Sequence, residues 1–142
     1  MAIYSSADLG FSIIPEATQG TVPTTGAVRS EVPVKTGAAL PDYTVNDIVS
    51  ETMRPNRAGN GSRRGNGSGE GSFEMALQKC AATDLLLQSV VSGVWDDNAL
   101  KGGKTDTSFS TIVKAASNMH FIYGGCICSS FTLEMNAAEG IS

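Results

Sequence analysis

Arg54, Arg57, Arg63 and Arg64 lie in one stretch, RPNRAGNGSRRGNGSGEG (residues 54–71), among six glycines and three asparagines. Closely spaced guanidinium groups bind phosphates or carboxylates, so the stretch can be a nucleic-acid arm, a linker or a long loop of one domain. Single-strand binders interleave aromatic platforms with their cations, and no aromatic residue follows until Phe73. The formal net charge of −4 opposes binding of nucleic acid by the whole surface. The flanking strands are too few for a separate core. A structureless loop of about 18 residues inside a compact domain usually carries function. A segment that orders against another subunit fits best. A flexible bystander and a local phosphate contact stay open.

Other residues with chemical potential are sparse. His120 is the one histidine, and its alternating neighbours Met119 and Phe121 suit a structural or surface role better than a general base without partners. Asp96, Asp97 and Asn98 follow Trp95 in a turn and lack the spacing of a calcium loop. Cys126 and Cys128 share a strand face, which disfavours a disulfide between them. With Cys80 they complete no zinc site, and all three are expected as small buried apolar residues. No phosphate-cradling motif is present. Neither enzyme, metal nor cofactor is expected.

The elements that must position these residues are mostly strands. The chain has 142 residues, 41% hydrophobic and 17% charged, enough for one domain with a real core. Residues 1–27 hold Pro15, Gly20, Pro23 and Gly26 and are predicted to be an extended arm, with apolar Phe11, Ile13 and Ile14 available for contacts. VRSEVPV alternates through Val28, Ser30, Val32 and Val34, with Pro33 tilting it toward an edge or bulge. YTVNDIVSE is a second strand through Tyr43, Val45 and Val49. Phe73, Met75 and Leu77 form one face of SFEMAL. Leu87, Val90, Val91 and Val94 fit a short amphipathic helix at residues 83–92, capped by Thr83 or Asp84 and ended by Gly93. After the polar turn WDDNALKGGKTD, TSFSTIV and NMHFIYGGCICSSFTLEM complete the strands. Phe131, Leu133 and Met135 alternate there, and Gly124-Gly125 marks a bulge. The predicted fold is mainly β, a sandwich or barrel with one packed helix and core residues Phe73, Met75, Leu77, Leu87, Val90, Val91, Phe131 and Leu133.

In order and spacing these pieces resemble the tail tube proteins of long, flexible-tailed bacteriophages. IIPEATQGTVPTTGAVRSEVPV looks like that family's opening strand, E-x-x-x-G-x-x-P element and following strand. DIVSETMRPNR resembles the strand leading into its long loop, and GSGEGSFEMAL the returning strand. TDLLLQSVVSGVW is similar to the family's single helix with its trailing Gly-x-Trp, and Tyr123–Cys126 to its Y-x-G-C turn. The likeness spans nearly the whole chain. The family usually continues past NAAEGIS with another strand, and many members carry a second domain. A short variant or a truncated C-terminus is therefore expected.

The resemblance implies a virion protein, made in the host bacterial cytoplasm, that assembles with itself into hexameric rings. Stacked rings form a tube, joined to other tail proteins, through which DNA passes without specific binding; no membrane is involved. The interface would use Arg54, Arg57, Arg63 and Arg64 of the loop with Phe11, Ile13 and Ile14 of the arm. Two alternatives are a monomeric β-sandwich module gripping an anionic ligand through residues 54–71, and a tube or terminator component of another injection machine.

Overall fold

A computed structural model describes residues 10–35, 39–48, 63–116, 119–136 and 140–141. It divides into two compact units, one of Met1–Thr36 with Glu74–Ser142 and one of Gly37–Phe73. The mainly β, sandwich-like class holds, with open sheets rather than a closed barrel. Among the described residues no helix is long and apolar enough to cross a membrane.

The larger unit is organised by β1 (Gly10–Pro15), which the turn-rich sequence around it disguised as part of an arm. Phe11, Ile13 and Ile14 are buried, Ile13 completely, because β1 runs through the interior of a four-stranded sheet. They belong to the core and are not free to form a subunit interface. A strand covered on both faces shows a near-continuous apolar run, with Ser12 as its one polar member.

On one side β1 pairs with β2 (Ser30–Glu31). The longer VRSEVPV strand is cut to these two residues, and Val28 is exposed. Beyond it Val34 bridges Met75, with a Lys35 N–H bond to the Glu74 carbonyl. As Pro33 suggested, this is a sheet edge. On its other side β1 pairs with β7 (Phe109–Ala116), which in turn pairs with β8 (Met119–Cys126). Phe109 faces Cys126 and Thr111 faces Tyr123, so Gly124-Gly125 supplies the expected bulge, with Gly125 at φ 73°. The alternation of FTLEM yields only β9 (Met135–Asn136), paired with β10 (Gly140–Ile141).

Helix α1 (Ala81–Val91) begins two residues before the expected start. Cys80 is its extended N-cap, and Thr83 lies inside with its hydroxyl 3.2 Å from Cys80 Sγ. At the other end Ser92 is left-handed (φ 48°). Its N–H bonds to the Ser89 carbonyl, and the Gly93 N–H to that of Gln88. These are the paired bonds of a Schellman cap. The buried face is Ala82, Thr83, Leu86 and Ser89, turned from the predicted Leu87, Val90, Val91 and Val94 stripe. Leu87 and Val90 are half-buried, while Val91 and Val94 are exposed. Small and hydroxylated residues occupy the inner face because it packs against β1 and β2, where larger side chains would hold the elements apart.

The polar turn after the helix folds into a hairpin of β5 (Val94–Asp96) and β6 (Ala99–Lys101). Asp97 takes its turn at φ 52°. Trp95 Nε1 donates to the Asp84 carbonyl at 3.1 Å, pinning the hairpin to the helix. Gly93 is buried, and a Cβ there would run into the Lys101 carbonyl.

The remaining core expectations divide. Phe73 and Met75 are half-buried; Leu77, Phe131 and Leu133 are exposed. Periodicity identifies an apolar face without saying whether the monomer covers it. Among the described residues the apolar core is Phe11, Ile13, Ile14, Val32, Ala82, Leu86, Phe109 and Val113.

The smaller unit is one antiparallel hairpin of β3 (Ala39–Ile48) and β4 (Arg63–Ser72). Residues 63–71 are thus strand, not loop; residues 54–62 lie outside the described residues, as does Val49. Glycines at 65, 67, 69 and 71 alternate with Asn66, Ser68, Glu70 and Ser72, a period of two that low strand propensity concealed.

Chemical denaturation separates the two helix faces. Leu86→Ala is expected to cost about 2–5 kcal/mol, and Leu87→Ala clearly less. Equal losses would place Leu87 in the interior.

Candidate assembly surfaces and the contacts that shape them

Glu16 ends the first strand and becomes a clamp. Its N–H bonds to the Ser108 carbonyl at 3.1 Å. Its Oε1 accepts from Ser110 Oγ at 2.5 Å and the Gly125 N–H at 2.9 Å; its Oε2 accepts the Gly20 N–H at 2.8 Å. Gly20 and Gly125 both have positive φ, which a side chain would strain. A Cβ on Gly125 would meet Gly20 Cα at 3.4 Å. One carboxylate thus ties the turn after β1 to the bulge of β8. Burial works against its charge, but the hydrogen bonds from Ser110, Gly125, Gly20 and Ser108 outweigh it and hold the carboxyl below its usual value.

Ser89 plays a similar part for the helix. Buried on the inner face, its Oγ donates to the Thr107 carbonyl at 2.8 Å and accepts the Cys128 N–H at 3.0 Å. These bonds fasten α1 to the chain entering β7 and leaving β8. Cys80, Cys126 and Cys128 are free, half-buried thiols. Burial pushes the Cys128 thiol up, and the Thr83 hydroxyl lowers that of Cys80. His120 is exposed on β8 opposite Lys114, and Asp96 pairs with Lys101 across a hairpin. Among the described residues, no cluster of three or more His, Cys, Asp or Glu is arranged to hold a metal ion.

What the clamps position is, among the described residues, an open edge. In sheet order β2-β1-β7-β8, β8 is outermost. Phe121 (47% exposed) and Ile122 (53%) point to opposite faces of it, and Met119 is also exposed. Ile127, Phe131, Leu133 and Met135 continue the apolar surface along the chain. An edge strand with such residues invites pairing with another chain. Sequence reasoning found this strand but not its position, because edge and interior strands alternate alike. Arg63 and Arg64 are exposed at the start of β4, with Arg64 opposite Asp47; Arg54 and Arg57 lie outside the described residues.

A family model described as phage tail tube protein matches residues 6–141. The chain belongs to that family. No curated protein matches it at a significant level. Membership gives the chain a structural role in a phage tail tube, in assembly with itself and other tail proteins, within a family that is generally non-enzymatic. The sequence elements that resembled the family now have physical roles. Glu16 and Gly20 of the first element meet Gly125 of Y-x-G-C in the carboxylate clamp. In Gly-x-Trp, Gly93 admits the Lys101 carbonyl and Trp95 holds the helix.

The clamp has a pH signature. A carboxyl with a lowered folded pKa contributes stability above its unfolded value of about 4.3 and loses it as pH falls through the folded value. Glu16→Gln is expected to cost about 1 kcal/mol at pH 7, since the site is partly solvated. Its urea midpoint should also change less than the native chain's from pH 5 to pH 3. Parallel acid dependence in both would remove Glu16 from this role. Ser89→Ala, which strands a carbonyl and an N–H, is expected to cost about 1–3 kcal/mol in the same assay. An unchanged midpoint would show the two groups satisfied elsewhere.

Proposed function

We propose that the chain is the repeating subunit of the tail tube of a long, flexible-tailed phage, with residues 1–142 acting as one tube subunit. Six copies close a ring by pairing sheet edges, and rings stack into a hollow tube that conducts the genome during ejection. The observation that carries this reading is the open β8 edge with Met119, Phe121 and Ile122 exposed. A closed ring removes such edges at every subunit, whereas a monomer leaves them exposed.

Electrostatics fit the same reading. A net charge of −4 keeps the subunit from binding the DNA it conducts. The exposed Arg63 and Arg64, with Arg54 and Arg57, supply local positive charge for acidic groups on the adjacent ring. DNA is thus cargo, and the partners are further copies and other tail proteins. Synthesis takes place in the host cytoplasm and the final location is the virion.

Negative-stain electron microscopy distinguishes the two contacts. The native chain is expected to form tubes at high concentration. Phe121→Lys with Ile122→Lys should leave small particles whose unfolding midpoint is nearly native, since both side chains are exposed. Arg63→Glu with Arg64→Glu should allow rings but shorten the stacks. Full-length tubes from the β8 variant would put the ring contacts elsewhere.

A further inference from the structure

We propose that the open β8 edge of one copy takes residues 131–135 of the next copy, FTLEM, as an added antiparallel strand. The inference rests on the reading of β8 as the ring contact and names what that edge binds. Residues 127–134 lie in no strand or helix, and among the described residues none of them makes a backbone–backbone hydrogen bond. They alternate all the same. Phe131, Leu133 and Met135 fall on one face, Thr132 and Glu134 on the other, and all five are exposed. This is the pattern of a half-buried strand with no sheet around it. The Cys128 N–H bond to Ser89 Oγ draws the chain past α1 instead of back along its own β8. Met135 pairs with Ile141 along one edge, which leaves the other for β8.

A ring needs two different surfaces, because β8 against β8 is self-complementary and stops at a dimer. The far edge of the sheet is a poor second surface. There β2 has two residues, Pro33 follows it, and Val34 and Lys35 are already engaged with Met75 and Glu74. The 131–135 segment offers a free backbone and a matching side-chain pattern. With His120 opposite Glu134, Met119 meets Met135, Phe121 meets Leu133 and Tyr123 meets Phe131 on one face. Ile122 meets Thr132 on the other. Glu134 is the one charged residue of 127–135, and β8 carries no acidic residue. His120 lies opposite Lys114 of β7, so Glu134 completes a row of two basic side chains and one acidic one. A shift of two residues sets Glu134 opposite Ile122 in one direction and past Met119, the start of β8, in the other. Pairing ends at Gly124-Gly125, where the strand bulges and Glu16 takes the Gly125 N–H.

Interchain disulfides in the full chain test this register. His120→Cys with Glu134→Cys, and Phe121→Cys with Leu133→Cys, are assembled under reducing conditions, imaged and then oxidised. One of the two is the closer, non-hydrogen-bonded kind of pair. Peptide mass mapping separates the new bonds from those of the native cysteines. At least one pair should give a ladder of covalent multimers, while Phe121→Cys with Glu134→Cys, on opposite faces, stays at background. Exchanging the charges gives a second readout. His120→Glu should raise the critical concentration for assembly about one-and-a-half- to five-fold, and adding Glu134→Lys should return it toward the native value. Assembled particles with no interchain bond above the 121–134 background, or with the bond inside one chain, overturn the added strand and leave the ring reading standing. So does a charge exchange that restores nothing. A native chain that never assembles overturns both.

Discussion

The fold is governed by incomplete burial. Among the described residues eight hydrophobic side chains form the core, while thirteen large ones remain exposed. Seven of the thirteen lie along β8 and the chain that follows it, and the other six are spread over the remaining elements. Apolar area left in water is stabilisation not yet realised, at about 25 cal/mol per Å². A subunit built this way gains when copies cover one another, and β8, at the end of its sheet, keeps Met119, Phe121 and Ile122 exposed.

A small apolar core needs other means of fixing its parts, and hydroxyls and one carboxylate provide them. Ser89 joins the helix to both ends of the β7–β8 pair, and Glu16 joins the first turn to the β8 bulge. Ser110 and Thr111 are also buried, opposite Ile14 and Ile13 of β1. Such polar contacts are directional, so they fix geometry where a few apolar contacts would tolerate sliding. The result is that β8 is presented at a defined place and angle on the larger unit. The hairpin of the smaller unit is made on the opposite plan, with solvent-facing polar residues on one face and glycines that let Pro41, Tyr43 and Ile48 lie against the other.

Much of the fold was legible in the sequence. The β class, the single helix, the Gly124-Gly125 bulge and the edge at Pro33 all follow from period, propensity and turn chemistry. Four kinds of information were not. Burial of β1 was hidden because Pro15, Gly20 and Pro23 give its surroundings the look of an arm. The helix face was misjudged because Thr83 and Ser89 count as polar until their partners are known. In β4 the alternation was present, but glycine at every second position reads as loop when propensity is weighed before period. Of the site residues, Arg63 and Arg64 are exposed as a contact role requires, whereas Phe11, Ile13 and Ile14 are consumed by the core. The edge position of β8 depends on strand order, which no local pattern encodes.

The most direct measurement is hydrogen–deuterium exchange of the β8 amides, residues 119–126, in dilute subunit and in concentrated samples. If the sheet edge is completed by another copy, the β8 amides bonded neither to β7 nor, like that of Gly125, to Glu16 should exchange rapidly when dilute and become strongly protected on assembly. The interior amides of β1 should change little. Identical β8 exchange in dilute subunits and in assembled particles would contradict the account.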